Sequence, residues 1–246
     1  MTLTTKKKIT LGVNIDHAAT LRQVRGGTTS YPDLLALTEI VKAGGGKQIT
    51  IHLREDRRHI QDADVVLLCK KSKLPINLEM AVTAEMLKIA LTNKPDWVCF
   101  VPEKREELTT EGGLNILKVF EQIKNMTAEL QKAKIKVSYF IEANPEQVRA
   151  AAMAGADAVE FHTGHWVSCT DKTKKLRLWK NLLQCSRKAH DLRLRVHAGH
   201  GIDFQHAKLI RKLPHLQEVN IGHSLICYAL ETGLKKAVVK MAEKIK

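Results

Sequence analysis

Histidines, carboxylates and asparagines recur at the ends of short apolar runs in this chain of 246 residues. The first run leads into Asn14, Asp16 and His17, the second into His52, Arg54 and Glu55, and the third contains Glu79. Further along come Glu142, then Glu160 with His162, His197 with His200, and finally Asn220 with His223. One such residue is an ordinary polar strand end. The whole set implies a shared site, because each buried polar group left unpaired costs ~1–3 kcal/mol. Despite 40 lysines and arginines, no lysine stands at any of these ends, which disfavours a protein Schiff base and leaves acid/base or metal chemistry. His and carboxylate ligands from several strands can hold zinc or manganese, but the spacing selects neither: "NIDHAAT" offers one histidine, and His197 with His200 is a weak pair.

The elements that would position these residues alternate. Eight β-rich runs, "LGVNI", "QITIHL", "PINLEM", "WVCFVP", "KVSYFIE", "AVEFHT", "LRVHAG" and "EVNIGH", are separated by longer helical patterns. Most read as apolar nearly throughout, as parallel strands covered on both faces do. The helices carry end signals. In "NPEQVRAAAMAGA", Asn144 is the expected N-cap, Pro145 the first helical residue, Gln147 the capping-box partner and Gly155 the stop. Thr83 opens "TAEMLKIALTNKP", and "YPDLLALTEIVKAGGG" runs from a proline to three glycines. Eight βα units in one chain of this length, with no Pro/Ser-rich linker, predict an α/β fold: a single (β/α)8 TIM barrel spanning 1–246, with residues 1–9 as a basic extension. A doubly wound open sheet competes. However, no Gly-x-Gly-x-x-Gly follows the first strand, where "NIDHAATLRQVRGGTTS" reads as a polar loop.

A barrel places its site at the C-terminal strand ends. There the glycines of "HAGHG" and "NIGHS" let backbone N–H groups approach a phosphate. Arg25, Arg54, Arg57 and Arg58 are candidates to hold a second phosphate. The formal charge of +14 suits phosphorylated small substrates. Nucleic acid is disfavoured because the basic residues lie mostly along helical faces, and 4% aromatics leave little for base stacking. No apolar run approaches the ~20 residues of a membrane span. The start, "MTLTTKKKIT", has no signal-type apolar block, so the expected location is cytoplasmic. Five widely spaced cysteines without a Cys-x-x-Cys pair predict small apolar residues rather than disulfides or zinc ligands. The expectation is an acid/base enzyme for phosphorylated substrates, with a metal-dependent barrel hydrolase or aldolase as the alternative.

Seven motifs, in order and at matching spacing, carry a resemblance to the pyridoxine 5'-phosphate synthase family of vitamin B6 biosynthesis: "LGVNIDHAATLR", "HLREDRRHI", "NLEMA", "VPEKREELTTEGGL", "VEFHTG", "AGHG" and "NIGH". The resemblance implies a (β/α)8 barrel with extra helices, a homo-octamer, and no metal or organic cofactor. The implied reaction is a ring-closing transfer. 3-Amino-2-oxopropyl phosphate condenses with 1-deoxy-D-xylulose 5-phosphate, and the adduct loses water and phosphate to give pyridoxine 5'-phosphate. By the same resemblance His52 and Glu79 are proton acceptors, His200 is the proton donor, and Glu160 stabilises charge in a transition state. Asn14, Arg25, Gly201, Gly222 and His223 would bind the amino-oxopropyl phosphate. Asp16, His17, Arg54, His59 and Thr109 would bind the deoxyxylulose phosphate. The chain departs from the family pattern at His197, where an asparagine is expected, and in "GGGKQIT" and "RGGTTSYPD".

Overall fold

A computed structural model of the chain describes residues 9–103 and 112–246. The basic extension up to residue 8, and Thr109, lie outside the described residues. Eight parallel strands pair in sequence order and close on themselves: β1 Thr10–Asn14, β2 Gln48–His52, β3 Ile76–Met80, β4 Trp97–Phe100, β5 Lys136–Ile141, β6 Ala158–His162, β7 Arg195–Gly199 and β8 Leu216–Ile221. The closing pair sets Leu11 beside Val219 and Gly12 beside Asn220. The (β/α)8 barrel expected from the alternation is the fold of the described residues.

Eleven helices are described: α1 Asp16–Gln23, α2 Leu34–Ala43, α3 Asp62–Lys71, α4 Ala84–Asn93, α5 Phe120–Lys132, α6 Pro145–Met153, α7 Gly164–Ser168, α8 Lys172–Asp191, α9 Ala207–Ile210, α10 His223–Thr232 and α11 Leu234–Ile245. Three of them, α1, α7 and α10, begin directly at a strand's C-terminal end and put their first turns at the barrel mouth. Among the described residues, no helix is long and apolar enough to cross a membrane.

The helix ends follow the sequence signals in most places. Asp33, Thr83 and Asn144 accept backbone N–H bonds at the starts of α2, α4 and α6, each such cap contributing about 1 kcal/mol. Two expectations fail. Gln147 does not complete a capping box; its amide oxygen accepts from the Ile116 N–H at 2.8 Å and its nitrogen donates to Asn115. The stretch after β1 is a helix, not a loop. The N-cap position of α1 is Ile15, which has no side-chain acceptor; the first N–H of the helix, that of Asp16, is instead accepted by the Asn14 side chain at 2.9 Å, while the Asp16 carboxylate turns toward β2. Ala18 and Ala19 bury one face of α1, and a two-pronged Arg22–Asp64 pair fastens it to α3.

Side chains alternate across each strand, and the alternation separates two interiors. Outward residues such as Val13, Ile49, Ile51, Leu78, Val98, Tyr139, Phe161, Val196 and Val219 join the helices in one continuous apolar core. The alternate positions are largely polar and buried, including Gln48, Thr50, Asn77, Ser138, Glu160, His197, Glu218 and Asn220. The strands are therefore covered on both faces, as expected, but one of those faces is a polar column inside the barrel. Cys99, Val101 and Phe140 form a separate small apolar cluster. Cys99 and Cys185 are buried, and burial raises their thiol pKa values, in keeping with plain apolar packing.

Candidate active site

The strand ends open into a cavity of about 520 Å³. His52, Glu79, Glu160 and His200 all line it, as do Asn14, Asp16, His17, Arg54, His59, Gly201, Gly222 and His223. Strand register produces this convergence. His52 stands beside Glu79 across β2 and β3, and the β6–β7–β8 pairings bring Glu160, Gly199 and Asn220 to neighbouring positions.

Asp16 organises the β1–β2 edge. One carboxylate oxygen accepts the His52 N–H at 2.9 Å, and the other accepts the Asn14 side-chain amide at 2.6 Å. His52 Nε2 then lies 3.5 Å from Glu103 Oε2, with no hydrogen-bond partner among the described residues. Glu103 Oε1 accepts the Glu55 N–H at 2.6 Å and sits 3.8 Å from Arg54 Nε. Burial works against the Glu103 carboxylate, but His52, the Glu55 N–H and Arg54 outweigh it and hold its pKa below the usual range. Glu103 belongs to the "VPEKREELTTEGGL" stretch and was not among the expected site residues. Its signal was available: a carboxylate three residues past the end of β4.

The paired carboxyls deeper in the cavity behave oppositely. Burial raises the Glu79 pKa well above the ordinary value, and the nearby Glu160 and Asp16 charges add to the rise. Burial likewise pushes Glu160 up to about 8, against the pull of the Asn220 amide, with Glu218 raising it further. A carboxyl raised in this way is better suited to both giving and taking a proton near neutrality than an ordinary one. Glu160 is fixed from below by the polar column. Asn220 Nδ2 donates to Glu160 Oε2 at 2.7 Å, Thr50 donates to Asn220 Oδ1 at 2.9 Å, and Gln48 donates to Glu218 Oε1 at 2.7 Å. Gly199 leaves the space above this network: a Cβ there would lie 2.0 Å from Glu160 Oε1.

His197 belongs to the same column rather than to the mouth. It is buried within β7, its Nδ1 lies 3.5 Å from Glu218 Oε1, and its ring meets Trp97 edge-on. Its place among the strand-end residues is therefore corrected. His197 lies in the layer that supports Glu160, one strand layer below His200.

His200 has a left-handed backbone, φ 71°, which for a side chain of this size stores about 1–3 kcal/mol of strain. Thr163 holds that turn: its hydroxyl donates to the Gly199 carbonyl at 2.8 Å and the His200 carbonyl at 2.6 Å. The ring borders the open cavity while protein surrounds its other sides. Its partial enclosure, with His162 and His165 nearby, lowers its pKa to about 4, so the imidazole is neutral near pH 7. Gly201 follows at φ 79°, and α10 begins at Gly222–His223, so its N-terminal N–H groups face the cavity as an anion site. Arg58 also lines the cavity. Arg57 does not, because it pairs with Asp62 and Glu85 on the outer surface. Arg25 is exposed on the segment after α1 and does not line the cavity.

Metal binding in this cavity would need Asp16, His52 and Glu79, whose ligand-type atoms lie within 4.8 Å of one another. Both Asp16 oxygens are already engaged, and burial works against the charged form of Glu79 that a cation would require, so the donor set suits proton transfer better than a cation.

The sequence profile of the family described as "Pyridoxal phosphate biosynthesis protein PdxJ" matches residues 11–246. The chain belongs to the PdxJ family. It is 58% identical over 241 residues to pyridoxine 5'-phosphate synthase of Bdellovibrio bacteriovorus, covering 98% of this chain and all of that protein. The synthase of Photobacterium profundum is 50% identical over 234 residues, covering 95% of each chain. Among solved structures, 3-hexulose-6-phosphate synthase from Salmonella typhimurium superposes with TM-score 0.66 at 15% identity, covering 96% of this chain and 98% of that one. At that identity the likeness is one of fold alone.

Proposed function

We propose that this protein is a pyridoxine 5'-phosphate synthase that joins 3-amino-2-oxopropyl phosphate to 1-deoxy-D-xylulose 5-phosphate and closes the pyridine ring by acid/base catalysis. The observation that carries this reading is the convergence of His52, Glu79, Glu160 and His200 on one cavity in a chain of this family. The substrate supplies the nitrogen nucleophile, so the protein needs only to move protons and hold two phosphates. In this reading His52 and Glu79 accept protons, His200 donates one, and Glu160 offsets charge in a transition state. Gly201, just after β7, and Gly222 and His223, at the start of α10, suit the phosphate of the amino-oxopropyl substrate, with Asn14; Arg25, outside the cavity in this structure, joins them only when the segment after α1 moves over the bound substrate. Asp16, His17, Arg54, His59 and Thr109 take the deoxyxylulose phosphate. A phosphate dianion beside His200 favours its protonated form and so arms it as the donor. The reading extends to a cytoplasmic homo-octamer that works without metal or organic cofactor and has neither nucleic-acid nor membrane partners.

The test is to incubate the purified, chelator-treated protein with both phosphorylated substrates and follow the absorbance of pyridoxine phosphate. Product formed by the chelated protein is expected. A folded protein that makes none, or makes it only on restoring a transition metal, overturns the reading.

A further inference from the structure

A second cluster of ligand-type side chains lies beside the proposed active site, outside the residues given a role in the reaction. Glu142 follows β5, His162 closes β6, and His165 is on the first turn of α7. Glu142 Oε1 is 2.8 Å from His162 Nδ1 and 3.5 Å from His165 Nε2. One ligand-type atom from each residue lies within 4.8 Å of the other two.

Zinc bonds of ~2.0–2.2 Å in a tetrahedron place neighbouring ligand atoms about 3.3 Å apart. The cluster therefore needs only small side-chain adjustments to close on a metal. Two imidazoles and one carboxylate form a donor set that suits zinc with a fourth position left open. Outer support is also present, since the Gly113 N–H donates to Glu142 Oε1 at 3.0 Å and orients the carboxylate. The same Oε1 faces both imidazoles, so a metal seated among the three takes the place of the His162 contact while the Gly113 N–H continues to hold the carboxylate. His162 is buried, whereas the side chains of His165 and Glu142 are 58% and 40% exposed, so an ion can enter from solvent.

We propose that Glu142, His162 and His165 form a binding site for a divalent transition-metal ion, zinc in particular, on the rim of the barrel mouth. The site is one imidazole away from the cavity, the ring centres of His162 and His200 being 4.9 Å apart. It stands independently of the synthase reading, because metal binding is measured directly and needs no substrate.

The full-length protein, stripped with a chelator and dialysed, is titrated with cobalt(II) while its visible spectrum is followed. Zinc is then added to displace the cobalt, and calorimetry gives the zinc affinity. One zinc per chain is expected at this site. His165→Ala and Glu142→Gln should each weaken binding by at least ~10-fold. His165 is exposed, so its variant folds even if the Glu142 variant does not. Two controls separate this cluster from other donors: His52→Ala removes a ligand of the Asp16 cluster, and Cys227→Ser removes the thiol 3.6 Å from His223. Both should bind zinc as the unaltered protein does. No saturable binding, binding unchanged in His165→Ala, or binding lost instead in either control overturns the proposal.

Discussion

Replacing Glu160 by glutamine removes one of two carboxyls whose pKa the barrel interior raises. An ordinary glutamate ionises near 4.5, whereas burial, opposed by the Asn220 amide and reinforced by Glu218, moves Glu160 to about 8. The folded state thus holds a proton across a range where the unfolded chain has released it. The stability tied to this difference is fully present below the unfolded value, is lost as pH rises between the two values, and stays lost above the folded one. At ~1.4 kcal/mol per unit the separation corresponds to several kcal/mol, a load that Glu160 shares with Glu79. Glutamine keeps the carbonyl that accepts from Asn220 and never ionises. Urea unfolding of both proteins at one fixed concentration, from about pH 5 to about pH 8, measures the effect. The stability of Glu160→Gln relative to the unaltered protein should rise by ~2–4 kcal/mol across that range. Two curves that run parallel would show that Glu160 ionises normally, and the account of the paired carboxyls would be wrong.

Three further changes probe the site. His200→Ala and Glu79→Gln should each lower kcat by about 10²-fold or more in the synthase assay, and an unchanged rate would remove that residue from the proton path. Gly199→Ala places a methyl group 2.0 Å from Glu160 Oε1 and so displaces the carboxyl; a loss of ~1–3 kcal/mol in unfolding free energy and a drop in turnover are expected. Thr163→Val keeps the shape but deprives the Gly199 and His200 carbonyls of the hydroxyl donor. Unfolding should show a cost of ~1–3 kcal/mol, and kinetics should show a larger effect on kcat than on KM, because the His200 turn loses its clamp.

Much of this site was legible because barrel geometry makes strand ends converge. Once eight runs were counted, His52, Glu79, Glu160 and His200 had to meet, whatever their separation in sequence. The helix after β1 was hidden because its N-cap is Ile15, which is no capping residue, and because the polar, glycine-containing stretch that follows it reads as a loop. Glu103 was overlooked because its role depends on folding back toward His52 and Arg54, a tertiary contact without local periodicity. His197 was misplaced by a single strand layer. Its sequence position within "RVHAGHGI" is two residues from the strand's last turn, but the pleat aims it at Glu218. In runs such as "QITIHL" the polar Gln48 and Thr50 carry no local signal of their role, because each is a rung of the inner column only through partners on β8.

That inner column sets a limit on engineering. Transplanting the strand-end histidines and glutamates onto another eight-stranded barrel would reproduce the contacts offered to substrate, yet leave them standing on a hydrocarbon floor. Without Asn220, Thr50, Glu218 and Gln48 beneath it, the Glu160 carboxyl would lose its amide donor and its acidic neighbour together. The portable unit in this fold is therefore two layers deep, and a successful graft has to carry the interior of β2 and β8 along with the rim.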